Sequence, residues 1–233
     1  MENNYDDISF DNGNEIIRYK IVMIGDVSVG KSSFMIRIIE NKFKESYDPS
    51  VGVDFSSKII KYKNKSIKLQ IWDSAGQEKY KGLIPSYIRG SALVFVLYDI
   101  SSKIKYFNKI NYLERDTFNN VTSWISFVKN IESPLIVIIG NKIDLERQVA
   151  TQEGEDLAKK EGTLFFEISS KTNDNVFSSL FESIAHFQYF NQFKISKKKL
   201  AAELIIENAE GLQSDPHLQV KLPVPKSTNK CNC

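Results

Sequence analysis

Gly25-Asp26-Val27-Ser28-Val29-Gly30-Lys31-Ser32 is the stretch around which this chain is read. It follows an apolar run, Tyr19 to Ile24, and opens into Ser33-Phe34-Met35-Ile36-Arg37-Ile38-Ile39. Strand, glycine-punctuated turn and helix in that order form the setting of a phosphate-binding loop. The glycines let successive backbone N–H groups from Asp26 to Ser33 curl around an anion, and the helix N-terminus adds partial positive charge. Lys31 is placed to reach β- and γ-phosphates, and the Ser32 hydroxyl to ligate Mg²⁺. A phosphate loop alone names neither the nucleotide nor the reaction.

With 233 residues, 42% of them hydrophobic, the chain can bury a full core. One domain of about 170 residues with tails fits better than two. A net charge of +2 leaves no electrostatic footprint for nucleic acid. Residues 1–16 carry five acids and no base and are read as a disordered acidic arm; they hold no apolar core of a signal peptide. No apolar run reaches the ~20 residues of a spanning helix. The two cysteines, Cys231 and Cys233, stand at the end of the chain and cannot staple a core, which suits a reducing cytosol.

Along the chain, strand one is expected at Tyr19–Ile24 and helix one from Lys31 to about Asn41. After a polar loop, residues 51–62 and an alternating run through Ile67, Leu69 and Ile71 read as an antiparallel hairpin. The near-continuous apolar runs at 92–98 and 134–140 read as parallel strands covered on both faces. Helices are expected at 118–131, 151–161 and 174–190, with a last strand at Leu164–Ile168. This alternation predicts an α/β fold with a mostly parallel six-stranded sheet, one antiparallel strand and helices on both faces. Residues 17–192 would form that domain, with residues 193–233 a flexible tail. Ligands in such sheets sit at the carboxyl ends of the strands.

Two further motifs fall at those ends. In Asp73-Ser74-Ala75-Gly76, the Asp73 carboxylate is suited to hold Mg²⁺ through water, and the Gly76 N–H to meet a γ-phosphate. Gln77 follows where an attacking water would be oriented. Such a motif by itself is most often only a turn. Asn141-Lys142-Ile143-Asp144 reads the base: two Asp144 acceptors match the N1–H and N2–H₂ donors of guanine, a pair that adenine lacks. The Lys142 stem would lie over the ring, and Ser169-Ser170-Lys171 would bring backbone donors to the guanine oxygen.

Three motifs in this order resemble the small GTPases of the Ras superfamily, P-loop GTPases in fold. Val51-Gly52-Val53-Asp54-Phe55, Lys68-Leu69-Gln70-Ile71-Trp72, Tyr87-Ile88-Arg89-Gly90 and Leu97-Tyr98-Asp99-Ile100 are similar to the Rab family. Residues 53–58 and 83–89 lean to its Golgi-associated branch. The resemblance implies a GTP/GDP switch on the cytoplasmic face of endomembranes, governing vesicle traffic and hydrolysing GTP slowly without an activating protein. Phe43 would stack on guanine, residues 47–52 including Tyr47 would form switch I, and residues 73–87 switch II. Ser50 would bind Mg²⁺ and the γ-phosphate and, with Lys31 and Gln77, serve catalysis. Phe55, Trp72 and Tyr87 match the aromatic triad read by effectors, though core packing explains such residues equally well. The chain would act as a monomer with an exchange factor, a GTPase-activating protein, a dissociation inhibitor, a prenylation escort protein and effectors.

Several features depart from the family or refine it. Ser50 stands where Thr is usual, Val27 where Ras has Gly, and Ser74 and Ser170 replace the usual Thr and Ala. Cys231-Asn232-Cys233 excludes a Ras-type lipidation box and resembles the doubly geranylgeranylated ends of Rabs. Residues 103–114 form an insertion that reads first as a tolerated surface loop, though Ile104, Phe107, Ile110 and Leu113 recur every third position, as on a short helix. Two rivals stay open: a Rab-like module that holds GTP with negligible hydrolysis, favoured by Val27 and opposed by Gln77, and an ATP-using kinase, disfavoured by Asp144.

Overall fold

Long apolar runs flanked by turn residues set the strands, and the computed structural model places nine of them among the described residues. It describes residues 7–11, 14–45, 53–62, 65–74, 82–101, 105–107, 110–112, 115–189 and 191. The chain divides into two units, Met1–Phe187 and Gln188–Cys233.

In the first unit, β2 (Asn14–Gly25), β3 (Val53–Tyr62), β4 (Lys65–Ser74), β5 (Leu93–Asp99), β8 (Leu135–Asn141) and β9 (Leu164–Ile168) form the main sheet. Their order is β3-β4-β2-β5-β8-β9. Only the β3–β4 pair is antiparallel within this path, with Phe55 opposite Trp72. The six-stranded sheet with one antiparallel strand is thus present. β5 is buried along its whole length, as expected of a strand covered on both faces.

Helices α1 (Lys31–Glu40), α2 (Ile84–Ile88), α3 (Arg115–Asn119), α4 (Val121–Lys129), α5 (Thr151–Glu161) and α6 (residues 176–189) flank it. On one face Ile21 and Met23 pack with Phe34 and Ile38 of α1 and with Leu180 and Ile184 of α6. Edge-to-face ring contacts join Phe34 to Phe95 at 5.5 Å and Tyr19 to Phe187 at 5.2 Å. On the other face Val22, Ile24 and Val96 pack with Ile88, Trp124, Ile125 and Ala158. These two cores hold the carboxyl ends of the parallel strands in fixed register.

Three expectations need correction. The acidic arm is not disordered throughout: β1 (Asp7–Asp11) pairs antiparallel with the start of β2, and Asp7 sits opposite Arg18. The sheet therefore has a seventh strand, and the expected boundary after residue 16 falls inside β2. The insertion is not a helix; β6 (Lys105–Phe107) and β7 (Ile110–Tyr112) form a separate two-stranded hairpin. A spacing of three suits either side of a short hairpin as well as a helical stripe. The helix expected at 118–131 is also broken, with Asn120 between α3 and α4.

Candidate functional site

The phosphate loop joins β2 to α1, and its glycines are required by space as well as by conformation. Gly25 has φ 139° and Gly30 φ 95°. A Cβ on Gly25 would lie 2.3 Å from the Leu97 carbonyl oxygen, and one on Gly30 would lie 2.3 Å from Asn141 Nδ2. Helix α1 begins without a side-chain cap and without an acid in its first turn. Its leading N–H groups and partial positive charge are therefore kept for an anion. Helix α5 shows the contrast, because Glu153 there accepts the Ala150 N–H at 3.0 Å.

Lys31 is buried and curls over the loop, its Nζ donating to the carbonyls of Asp26 at 2.7 Å and Gly25 at 3.1 Å. Burial pulls its pKa down to about 8, against the opposing pull of Asp73 and Asp26. The Ser32 hydroxyl donates to Asp73 Oδ2, which puts these two oxygen groups side by side. Ser74, in place of the usual Thr, is buried and donates to the Met23 carbonyl at 2.8 Å.

Asp26 is an acid within an anion-binding loop, and the structure shows how that is tolerated. Its carboxylate accepts Trp124 Nε1–H at 2.8 Å and Asn120 Nδ2–H at 2.7 Å. The side chain is thus held by the residues at the start of α4, leaving its backbone to the loop. Ser28 has φ 64° and Lys142 φ 74°, a conformation rare for residues with a Cβ, and the two are joined: Lys142 Nζ donates to the Ser28 carbonyl at 2.8 Å. The same ammonium pairs with the buried Asp99 carboxylate.

The base-reading segments converge on Asn141, which is 1% exposed. Its Nδ2 donates to the Val29 carbonyl at 2.9 Å, tying the base loop to the phosphate loop. Its Oδ1 accepts the Lys142 N–H at 2.9 Å and both the N–H and hydroxyl of Ser170 at 3.1 Å. Ser170, where Ala is usual, thereby adds a bond to this junction. Ser169 Oγ donates to Asp144 Oδ1 at 2.6 Å and orients that exposed carboxylate. Arg37, which the sequence reading passed over, holds the carbonyls of Ser170 and Lys171 from α1. A charged residue inside the apolar run Phe34–Ile39 was the available signal.

Away from this cluster, Phe55, Trp72 and Tyr87 form one stack. Ring centroids are 4.8 Å apart for Phe55–Trp72 and 5.3 Å for Trp72–Tyr87. Phe55 is 46% exposed, whereas Trp72 and Tyr87 pack partly on the core beneath. Lys20 Nζ lies 5.5 Å from the Trp72 ring. Phe43 is half-buried, in the loop after α1. Tyr47, Ser50, Gly76, Gln77, Cys231 and Cys233 lie outside the described residues.

Oxygen donors from Ser32 and Asp73 beside a buried lysine and a glycine cradle suit a hard cation and a polyphosphate. Comparison with known proteins agrees with this arrangement. The model of the Ras family matches residues 20–188. The chain is 40% identical over 168 residues to "Ras-related protein Rab-4" of Dictyostelium discoideum, covering 70% of this chain and 76% of that protein. It is 40% identical over 162 residues to "Ras-related protein Rab-2B" of the same organism, covering 68% and 74%. Strand order, site geometry and these similarities agree: the chain belongs to the Ras family and is a small GTPase of the Rab type.

Proposed function

We propose that this GTPase is a guanine-nucleotide switch in intracellular vesicle traffic, bound with Mg²⁺ at the carboxyl ends of β2, β4, β8 and β9. The observation that carries this reading is the Asn141 junction, which ties the phosphate loop to the base-reading segments at bonds of 2.9–3.1 Å. Ser32, Asp73 and Ser50 would hold the cation, whose charge would offset that of the phosphates. Backbone N–H groups from Asp26 to Ser33 bind the phosphates, and Lys31 reaches the β- and γ-phosphates. Gln77 orients a water whose oxygen attacks the γ-phosphorus as the bond to the β–γ bridging oxygen breaks, giving GDP and phosphate. Positioning and preformed charge supply the rate, with no strong internal base.

In this reading γ-phosphate contacts order residues 47–52 and 73–87, and hydrolysis releases them. The exposed end of the Phe55–Trp72–Tyr87 stack then serves GTP-dependent effectors. Geranylgeranyl groups on Cys231 and Cys233 attach the protein to endomembranes. The resemblance of residues 53–58 and 83–89 to the Golgi-associated branch of Rabs favours the Golgi. Val27, 41% exposed in the phosphate loop, favours a GTP-holding module with negligible hydrolysis as a second reading; single-turnover hydrolysis separates the two.

The decisive test is Asp144→Asn. Turning one acceptor into a donor is expected to weaken GTP binding by several kcal/mol while improving binding of xanthine nucleotides. Unchanged GTP affinity would sink the base-reading assignment.

A further inference from the structure

Arg37 lies near the C-terminal end of α1 and is 9% exposed. Its guanidinium directs three donors to three backbone carbonyls. Nε donates to Ser170 O at 3.0 Å, Nη2 to Lys171 O at 2.6 Å and Nη1 to Asn41 O at 2.9 Å. Two of these acceptors belong to the loop after β9, and the third is the residue that ends α1. A buried guanidinium spent on carbonyls of a loop is more than core filling, because its planar fork fixes the acceptors in direction as well as distance.

The loop so held is the one that orients the base readers. Ser170 supplies two donors to Asn141 Oδ1, and Ser169 supplies the hydroxyl bound to Asp144 Oδ1. A second tie runs from Asn173 Nδ2 to Asn41 Oδ1 at 3.4 Å. The α1 end of this bridge is itself secured, since Lys58 Nζ donates to the carbonyls of Ile38 at 2.7 Å and Ile39 at 3.1 Å. At its other end α1 begins at the phosphate loop. One helix, about 15 Å long for its ten residues, therefore spans from the phosphate site to the base site.

We propose that Arg37 is a positioning residue for guanine recognition: by clamping the Ser169–Lys171 loop to α1 it holds Asp144 in the pose that reads the base. The inference rests on the reading of Asp144 given above. The three Arg37 donors go to backbone carbonyls, so its effect is carried through Ser169 and Ser170. Loss of the clamp costs preorganisation at the guanine amino group more than at the phosphates.

The test measures dissociation of GDP and of IDP, which lacks only the 2-amino group, from loaded wild-type, Arg37→Gln, Arg37→Lys and Asp144→Asn proteins. Arg37→Gln is expected to speed GDP release by about tenfold or more, the scale of lost charge-assisted hydrogen bonds. IDP release should change less, so the preference for GDP over IDP narrows. Arg37→Lys keeps the cation without the fork and should fall between. Because release is read only from loaded protein, reduced folding yield does not enter the ratio. Equal acceleration of both nucleotides would mean that Arg37 does not act through the Asp144 contact with the 2-amino group and would overturn the proposal, as would unchanged GDP release. If Asp144→Asn abolishes the preference while both Arg37 variants keep it, the clamp alone is refuted. If Asp144→Asn keeps the preference, the base reading itself fails.

Discussion

Val27 shows how a single side chain sets a prediction. It is branched at Cβ and 41% exposed, so it projects from the phosphate loop rather than filling the core. A trans-acting arginine accelerates hydrolysis in small GTPases by about 10³–10⁵-fold, and in the mechanism proposed above it would share the γ-phosphate with Gln77. Val27→Gly is expected to raise stimulated single-turnover hydrolysis by about tenfold or more, since a misplacement of about 1 Å in a reacting site can cost on the order of 10²-fold. Equal stimulated rates in the two proteins would remove Val27 from the mechanism. At this scale the sequence was most legible where chemistry restricts residue choice. Ser32 and Asp73, both read as cation ligands, do meet, whereas the bond from the Ser169 hydroxyl to Asp144 was not foreseen. What stayed hidden were partners brought in by tertiary packing. Nothing in the spacing announces that Trp124 would hold Asp26 across 98 positions, or that Lys58 would cap the carbonyls of α1.

Among elements, the insertion is where periodicity failed and turn chemistry would have served. Phe107 pairs with Ile110, and in the sequence Asn108-Lys109 stands between them, asparagine being a residue that reads as a turn signal. The hairpin runs from the carboxyl end of β5 into α3, and Asn120 and Trp124 just beyond α3 grip the Asp26 carboxylate. It therefore abuts in sequence the segment that steadies the phosphate loop. Deleting residues 103–114 is expected to leave Mg²⁺–GTP affinity within about threefold, because the α1 and Asn141 ties remain, each hydrogen bond being worth ~1 kcal/mol. The response to exchange or activating proteins is expected to change. Measured responses identical to the full chain would reduce the hairpin to a tolerated loop. Trp124→Phe tests the neighbouring link more directly. It removes one donor from Asp26 and should raise GDP release several-fold, with a stability loss of about 1–2 kcal/mol. Release kept at the wild-type rate would show that Asn120 alone suffices.

For the whole molecule, alternation of apolar runs and helical stripes was enough to read the six-stranded sheet, since each buried parallel strand carries its own hydrophobic signature. The seventh strand was missed because acidic, Asn- and Gly-containing composition reads as disorder, whereas β1 gains its order by pairing with a strand already fixed in the sheet. Composition describes a segment alone; the sheet supplies the partner. The same distinction governs attachment to membranes. Among the described residues no helix is long and apolar enough to cross a bilayer. In the function proposed above, attachment would rest on residues of the second unit, Gln188–Cys233. Its last residues offer Cys231 and Cys233, and its Lys194–Lys199 cluster offers charge. At about 0.8 kcal/mol per buried CH₂ a single lipid chain gives marginal, reversible binding, while two give stable anchoring. Polybasic residues add about 1 kcal/mol each only when near an anionic surface. Single Cys→Ser variants are therefore expected to divide between membrane and soluble fractions, and the double variant to remain soluble with its nucleotide affinity unchanged. A double variant that still sediments with membranes at high salt would rule out lipid anchoring. One that sediments only at low salt would assign the residual binding to the lysine cluster.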